Sequence, residues 1–180
     1  MDQDENFIRM ANSWEGTIDK YMLSVFIGIR GCTMVFNEVL QRMLVPYEIT
    51  AISGHDTYVA LIAFWLGQVV YDPQAYIHYR QTGSNLSITG TSQWDKLKKN
   101  FLYVHKRLTV RKCIHEKNAR ELISHYYAGH EAELRELLTV AEYKRNPASR
   151  FRLLFSRKFK HGFSLMIRLF NDLFILLGKL

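Results

Sequence analysis

The chain has 180 residues with ordinary globular shares of hydrophobic (48%) and charged (23%) side chains, which excludes a disordered or fibrous protein. Its two cysteines, Cys32 and Cys113, exclude a disulfide scaffold and a cysteine-based zinc site, and they fit a reducing compartment. The net charge of +7 is unevenly divided, because residues 1–95 carry five Lys and Arg against ten Asp and Glu, whereas residues 96–180 carry nineteen against seven. The basic half therefore indicates an anionic partner, either a membrane surface or nucleic acid.

Three short runs in the first half predict β-strands. The run 31–36 is apolar and rich in β-forming residues, so a buried strand is expected there. The runs 68–71 and 75–79 predict two further strands, with Asp72 and Pro73 forming the turn between them.

Two helices are predicted between these strands. Asn37 can cap the first helix, which Pro46 ends. The sequence Ser53-Gly54-His55-Asp56 opens the second, and Gly67 follows its last turn. We therefore expect an α/β first part over residues 1–90.

The second half predicts helices only. No proline occurs between residues 92 and 145, and helical spacing is clear until Asn146 and Pro147 interrupt it. Residues 148–161 then interleave basic with apolar and aromatic side chains. We therefore expect residues 91–180 to form an all-α basic region.

The segment 163–180 is the most apolar of the chain and predicts an amphipathic terminal helix. Its apolar side is expected to carry Phe163, Met166, Ile167, Phe170, Phe174 and Leu177. Its polar side is expected to carry Ser164, Arg168, Asn171, Asp172 and Lys179. Because Arg168 and Asp172 would be costly at a bilayer centre, we expect residues 148–180 to lie on an anionic membrane surface rather than to span it. The alternative is a terminal helix packed on the core, beside a solvated basic segment.

Three residues are candidates for chemistry. Asp56 sits at a helix start, where the positive end of the helix keeps its carboxylate ionised, so it can act as a general base or as a plain N-cap. His78 ends a predicted strand before a polar loop, which suits a metal ligand, although a structural histidine is the simpler alternative. Gly31 indicates a tight turn or a close backbone approach.

The order of three motifs along the chain resembles the C-terminal half of bacterial family 2 glycosyltransferases, especially the rhamnosyltransferase-like group. The motifs are the segment 31–37, the pair His55-Asp56 and the run 78–85. The resemblance covers roughly residues 20–90 and implies a partial GT-A mixed sheet with flanking helices. It implies Asp56 as the catalytic base with His55 beside it, and His78 as a ligand of Mn or Mg. It also implies substrate contacts from Gly31, Cys32, Thr33, Tyr58, Trp65, Arg80 and Gln81.

The resemblance further implies surface polysaccharide synthesis, by inverting sugar transfer from a nucleotide sugar to a glycan or lipid-linked acceptor. Such an enzyme would work in the cytoplasm, peripherally on the inner face of the membrane. Only thirty residues precede Gly31, so we expect a truncated enzyme that lacks most of the donor site.

Two other functions compete with this one. The first is a non-enzymatic, membrane-associated helical module that binds a partner. The second is a nucleic-acid-binding protein using residues 96–160. Because that region matches no common recognition module, we do not expect nucleic acid to be the partner.

Overall fold

The protein is all-α in the part of the chain that the structure describes. A computed structural model describes residues 18–25, 29, 31–44, 55–72, 74, 76–78, 101–102, 104–105, 108–109 and 113–180. Of these residues 68% are helical and none lies in a β-strand. The expected α/β class, with a partial GT-A mixed sheet, is therefore wrong.

Helices of six to thirteen residues, with one shorter turn of helix, make up most of this part. They are α1 (Lys20–Val25), α2 (Glu38–Leu44), α3 (His55–Leu66), α4 (Ile114–Tyr126), α5 (Glu131–Leu134), α6 (Leu137–Glu142), α7 (Pro147–Phe155) and α8 (Leu165–Leu176). Two 3₁₀ turns, Gly31–Thr33 and Lys158–Lys160, lie before α2 and before α8. Residues outside the described ranges include the predicted contacts Arg80 and Gln81.

Local capping signals explain where several helices begin. The side chain of Asn37 accepts a hydrogen bond from the Leu40 amide at 3.1 Å, at the start of α2. The side chain of Asn146 accepts one from the Ala148 amide at 2.9 Å, and Pro147 takes the first position of α7. The helices predicted after Asn37 and from His55 are confirmed, as is the break at Asn146.

The predicted strands are absent from the described residues. The first run forms the turn Gly31–Thr33 and then an exposed stretch, in which Val35 is fully exposed. A strand needs the backbone of a partner strand, and a short β-forming run without one has nothing to hold it extended. In the second region Asp72 does organise a turn, because its carboxylate accepts hydrogen bonds from the Gln74 amide (2.9 Å) and the Tyr76 hydroxyl (2.7 Å). The first of these bonds lowers the pKa of Asp72, and the bond from Tyr76 adds to the effect.

One hydrophobic core joins helices from both parts of the chain. It contains Leu23 of α1, Ile62 of α3, Leu122 of α4 and Leu137 of α6, each at most 1% exposed. The Trp65 indole nitrogen donates a hydrogen bond to the Ser24 hydroxyl at 2.9 Å, so α1 and α3 also share a buried polar contact. The division at residue 90 stays a prediction, and the described helices on its two sides pack on each other.

The segment after α8 is tied to the same core. Leu180 is fully buried, and its amide donates a hydrogen bond to the Tyr143 hydroxyl at 2.9 Å. The Cys113 thiol lies 3.2 Å from the Gly178 carbonyl oxygen, to which it donates a hydrogen bond. These contacts fix the end of α8 beside the start of α4 and the end of α6.

The shared core predicts that truncation at its centre destabilises the whole fold. We expect Leu122→Ala to lower the free energy of unfolding by about 2–5 kcal/mol, since it leaves a cavity among α3, α4 and α6. The matched truncation Val39→Ala, at a position 68% exposed on α2, should change it by less than about 0.5 kcal/mol. Urea titration followed by far-UV circular dichroism measures both, and equal losses would contradict a core centred on Leu122.

Candidate functional site

The structure brings the two residues predicted for catalysis, His55 and Asp56, close to the predicted substrate contact Gly31 at the start of α3. A Cβ atom placed on Gly31 would lie 2.9 Å from His55 Nε2 and 3.2 Å from Asp56 Cβ, so the turn approaches α3 closely. The close backbone approach expected at Gly31 is therefore confirmed. The Asp56 carboxylate accepts a hydrogen bond from the adjacent Thr57 amide at 2.8 Å, within the first turn of the helix. Its role as a base stays a prediction.

The predicted substrate contacts are divided between the surface and the core. Cys32 and Thr33 are exposed in the turn before α2. Tyr58 and Trp65 are 1% and 3% exposed, and their rings belong to the core. The Tyr58 hydroxyl lies 3.3 Å from that of Tyr126, so it points to another helix and not to solvent.

The predicted metal ligand, His78, is not part of the group around Gly31 and the start of α3 described above. His78 is exposed, in a non-helical stretch after α3. Within the described ranges, no group of three or more His, Cys, Asp or Glu side chains could hold a metal ion. Binding of Mn or Mg by His78 stays a prediction.

An extended exposed apolar surface of the described residues lies on α8. Apolar side chains that are 43–72% exposed lie along one face of this helix and at its C-cap residue, Leu177. We call them the α8 ridge: Leu165, Met166, Leu169, Leu173, Leu176 and Leu177. The residues at intervals of three and four follow one another along the helix, so they share a face. A soluble surface seldom exposes so many neighbouring aliphatic side chains, and such patches mark binding sites.

The other face of α8 holds the helix in place. Phe174 and Ile175 are at most 3% exposed in the core, and Asn171 is also buried, at 6%. Beside them, Lys160 Nζ contacts both carboxylate oxygens of Asp172, at 2.7 and 2.8 Å. The helix is therefore apolar on a buried side and on an exposed side.

This arrangement corrects the two faces expected for the terminal helix. Asn171 was expected on the exposed polar side and is buried, whereas Phe174, expected on the apolar side, points into the core. The sequence reasoning missed Leu165, Leu169, Leu173 and Leu176 as surface residues. Their spacing of four, four and three residues was the signal that could have found them.

Basic and aromatic side chains precede the α8 ridge in the chain. Residues 148–164 contain five Lys and Arg and no Asp or Glu. Phe151 and Phe155 of α7 are about two-thirds exposed (65% and 68%), and their ring centroids lie 4.4 Å apart. The segment before α8 therefore combines exposed aromatic side chains with positively charged ones.

The basic side chains divide into those with and those without acidic partners. Lys158 Nζ lies 2.7 Å from Glu136, and this hydrogen bond raises the pKa of Lys158, so the ammonium group stays charged within its ion pair. Lys160 pairs with Asp172 as described. Arg152, Arg157 and Arg168 are exposed and form no ion pair with any residue that the structure describes. Their charges are available to an anionic surface.

Comparisons with protein-family models, curated proteins and solved structures find no match to this chain. Together with the lack of a sheet in the described residues, this overturns the resemblance to family 2 glycosyltransferases, including the rhamnosyltransferase-like group and its role in polysaccharide synthesis. Each motif that suggested it is short. The structure places the segment 31–37 in a 3₁₀ turn and the non-helical stretch before α2, and residues 55–56 in the first turn of α3.

Among the described residues, no helix has both the length and the apolar character needed to cross a membrane. With twelve residues, α8 is well short of the roughly twenty that a spanning helix needs.

The two faces of α8 predict opposite effects of truncation on stability. We expect Phe174→Ala to lower the free energy of unfolding by about 3–5 kcal/mol, because it removes a fully buried ring. Leu169→Ala, on the α8 ridge of the same helix, should change it by less than about 0.5 kcal/mol. Thermal and urea unfolding of both variants give the comparison. A large loss in Leu169→Ala would mean that the ridge is needed for folding.

Proposed function

We propose that the protein is a non-enzymatic helical module that attaches peripherally to an anionic membrane surface through α8. The observation that supports this most directly is the α8 ridge, whose six apolar side chains lie exposed on a helix next to a basic segment. An interfacial helix needs this combination, with an apolar face that enters the acyl boundary and cations that meet the headgroups.

The dimensions of the helix suit binding in the plane of the membrane. Twelve residues form a helix about 18 Å long, enough for the ridge to lie flat but too short to cross the hydrocarbon core. Burying leucine side chains that the fold leaves exposed supplies favourable free energy without unfolding the core. The buried face of α8 then keeps the rest of the protein on the aqueous side.

Charge favours a membrane over a second copy of the chain. Arg168 lies on α8 itself, while Arg152 and Arg157 precede it, and residues 148–180 offer only Asp172 as an acid, which Lys160 neutralises. In a two-fold dimer the same patch would meet itself, bringing like charges together. The headgroups of an anionic leaflet, such as the cytoplasmic face of a cell membrane, are complementary to this charge. We therefore propose a cytoplasmic location on that face.

Vesicle co-sedimentation tests the apolar contribution. The wild-type protein should bind phosphatidylcholine vesicles that contain phosphatidylserine, and L169S/L176S should weaken the partition coefficient about tenfold or more, because two leucines no longer enter the acyl boundary. The control V35S/V39S removes two apolar side chains that are more exposed still, from another part of the surface, and should bind as wild type does.

Two results would contradict the proposal. One is equal partitioning of wild type and L169S/L176S. The other is a concentration-dependent dimer in light scattering that L169S/L176S abolishes, with no vesicle binding by either protein, which would assign the ridge to a second copy.

The basic residues predict a dependence on surface charge. R152Q/R157Q should weaken binding to the phosphatidylserine vesicles by about fivefold per arginine, and rising salt should weaken wild-type binding in the same way. Binding to pure phosphatidylcholine should hardly change. Arg42→Gln, which alters an exposed arginine paired with Glu38 on α2, is the charge control and should have little effect. Salt-independent binding would argue against a role for these arginines.

A further inference from the structure

Two aromatic side chains in contact with each other stand on the outer face of α7. Phe151 and Phe155 are 65% and 68% exposed, and their ring centroids lie 4.4 Å apart with the ring planes tilted by 38°. The helix packs on the core through Leu153, which is fully buried. Leu153 lies two residues from each phenylalanine, which is about 200° around an α-helix, so both rings point away from the core. We call Phe151 and Phe155 the α7 aromatic pair.

Folding does not account for the α7 aromatic pair. Neither ring belongs to the hydrophobic core, and the start of α7 is already stabilised by the Asn146 cap and by Pro147 at the first position of the helix. The two rings cover only part of each other, so most of their apolar surface faces solvent. Exposed aromatic rings are characteristic of surfaces that bind another molecule.

Positive charge accompanies these rings. Arg152 lies between the two phenylalanines in the sequence, and Arg157 follows two residues after the end of α7. Both arginines are exposed, and neither forms an ion pair with a residue inside the described ranges. Residues 148–164 contain no Asp or Glu that could neutralise them locally. The molecule that covers this surface therefore has to combine apolar material with negative charge.

An anionic leaflet has this chemistry, and α8 favours it over the other candidates. The two helices pack on each other, and the α8 ridge adds exposed aliphatic side chains close to α7. The bases of a single-stranded nucleic acid can stack on phenylalanine rings, but they would leave the α8 ridge uncovered. A second copy of the chain, related by a two-fold axis, would bring the same arginines together. Acyl chains can cover both the rings and the ridge.

The turn between α7 and α8 holds the two helices in fixed positions. Phe159, in the middle of this turn, is 5% exposed and belongs to the core. On either side of it, Lys158 Nζ lies 2.7 Å from Glu136 and Lys160 Nζ lies 2.7 Å from Asp172. Once the α8 ridge is bound, a contact by α7 is therefore an intramolecular event with a high effective concentration. Two contacts also define an orientation, whereas a single helix can roll about its axis.

We propose that the α7 aromatic pair is a second membrane contact, which fixes the orientation of the bound protein. Phe151 and Phe155 enter the boundary between headgroups and acyl chains, while Arg152 and Arg157 meet the headgroups. The proposal rests on the proposed attachment through α8 and adds to it a second, aromatic point of insertion.

Fluorescence quenching by brominated lipid tests the contact directly. Phe155→Trp places an indole in the α7 aromatic pair, and Phe36→Trp places one at an exposed phenylalanine just before α2. Each variant is mixed with vesicles of phosphatidylserine and a phosphatidylcholine that carries bromine on its acyl chains, and the emission of the wild-type protein is subtracted. The added emission of Phe155→Trp should move to shorter wavelength and be quenched, because its indole meets the acyl chains. The added emission of Phe36→Trp should do neither.

Co-sedimentation measures how much the pair contributes to binding. F151S/F155S should weaken the partition coefficient on phosphatidylserine vesicles about tenfold or more, because two rings no longer enter the acyl boundary. The control V35S/F36S removes an exposed valine and an exposed phenylalanine from another part of the surface and should bind as wild type does. The Tm of F151S/F155S should stay close to that of wild type, since the rings lie outside the core, and this shows that the variant folds.

The outcomes separate this contact from the attachment through α8. If L169S/L176S loses binding, F151S/F155S binds as wild type does and Phe155→Trp is not quenched, the attachment through α8 stands and the second contact is overturned. If only F151S/F155S loses binding, the contact by α7 stands and the attachment through α8 fails. A wild-type protein that binds no vesicle overturns both. Binding of a single-stranded oligonucleotide that F151S/F155S abolishes would then assign the pair to nucleic acid.

Discussion

The packing of α4 against α6 is the contact on which the other described helices depend. Leu122 of α4 and Val140 of α6 are fully buried in the core that α1, α3 and α7 complete. At its edge, Arg120 donates a hydrogen bond to the Ala141 carbonyl at 2.9 Å and pairs with Glu116 at 3.0 Å. The Ala141 carbonyl belongs to the last turn of α6, where helical acceptors lack partners within the helix. The interface between α4 and α6 is therefore apolar in its centre, and the polar groups at its edge form hydrogen bonds.

The orientation of α8 follows from that pair. The Gly178 carbonyl accepts from the Cys113 thiol at the start of α4, and the Leu180 amide donates to the Tyr143 hydroxyl just after α6. On the other side, Asp172 is held by Lys160. These polar contacts determine which side of an apolar helix turns inward, and they leave the α8 ridge in solvent. The membrane surface proposed here is therefore a consequence of how the core is closed.

Local signals in the sequence were enough to predict helices. Asn37 and Asn146 act as caps through their own side chains, and the helix expected from His55 to Gly67 forms over His55–Leu66. Strands could not be predicted in the same way, because a strand exists only if another strand pairs with it. The run at 31–36 has β-forming residues, yet Val35 is completely exposed.

The position of the candidate site at residues 148–180 could be predicted from the sequence, but the exposed face of α8 could not. Apolar periodicity identifies a helix and its charged neighbours, so an interfacial segment at residues 148–180 could be anticipated. Periodicity cannot decide which of two apolar sides packs on the core, and α8 carries Phe174 and Ile175 on one side and the α8 ridge on another. The choice is made by distant contacts, which buried Asn171 and exposed Leu169, the reverse of what their polarity indicates.

Two departures from what folding requires meet on this one helix. The α8 ridge exposes aliphatic side chains that polar residues could replace without loss of core packing, and Asn171 buries a donor that an apolar side chain would relieve. Proteins tend to depart from locally favourable choices at functional sites. A lipid surface would cover the ridge with acyl chains and set its headgroups beside the basic side chains of α7 and α8.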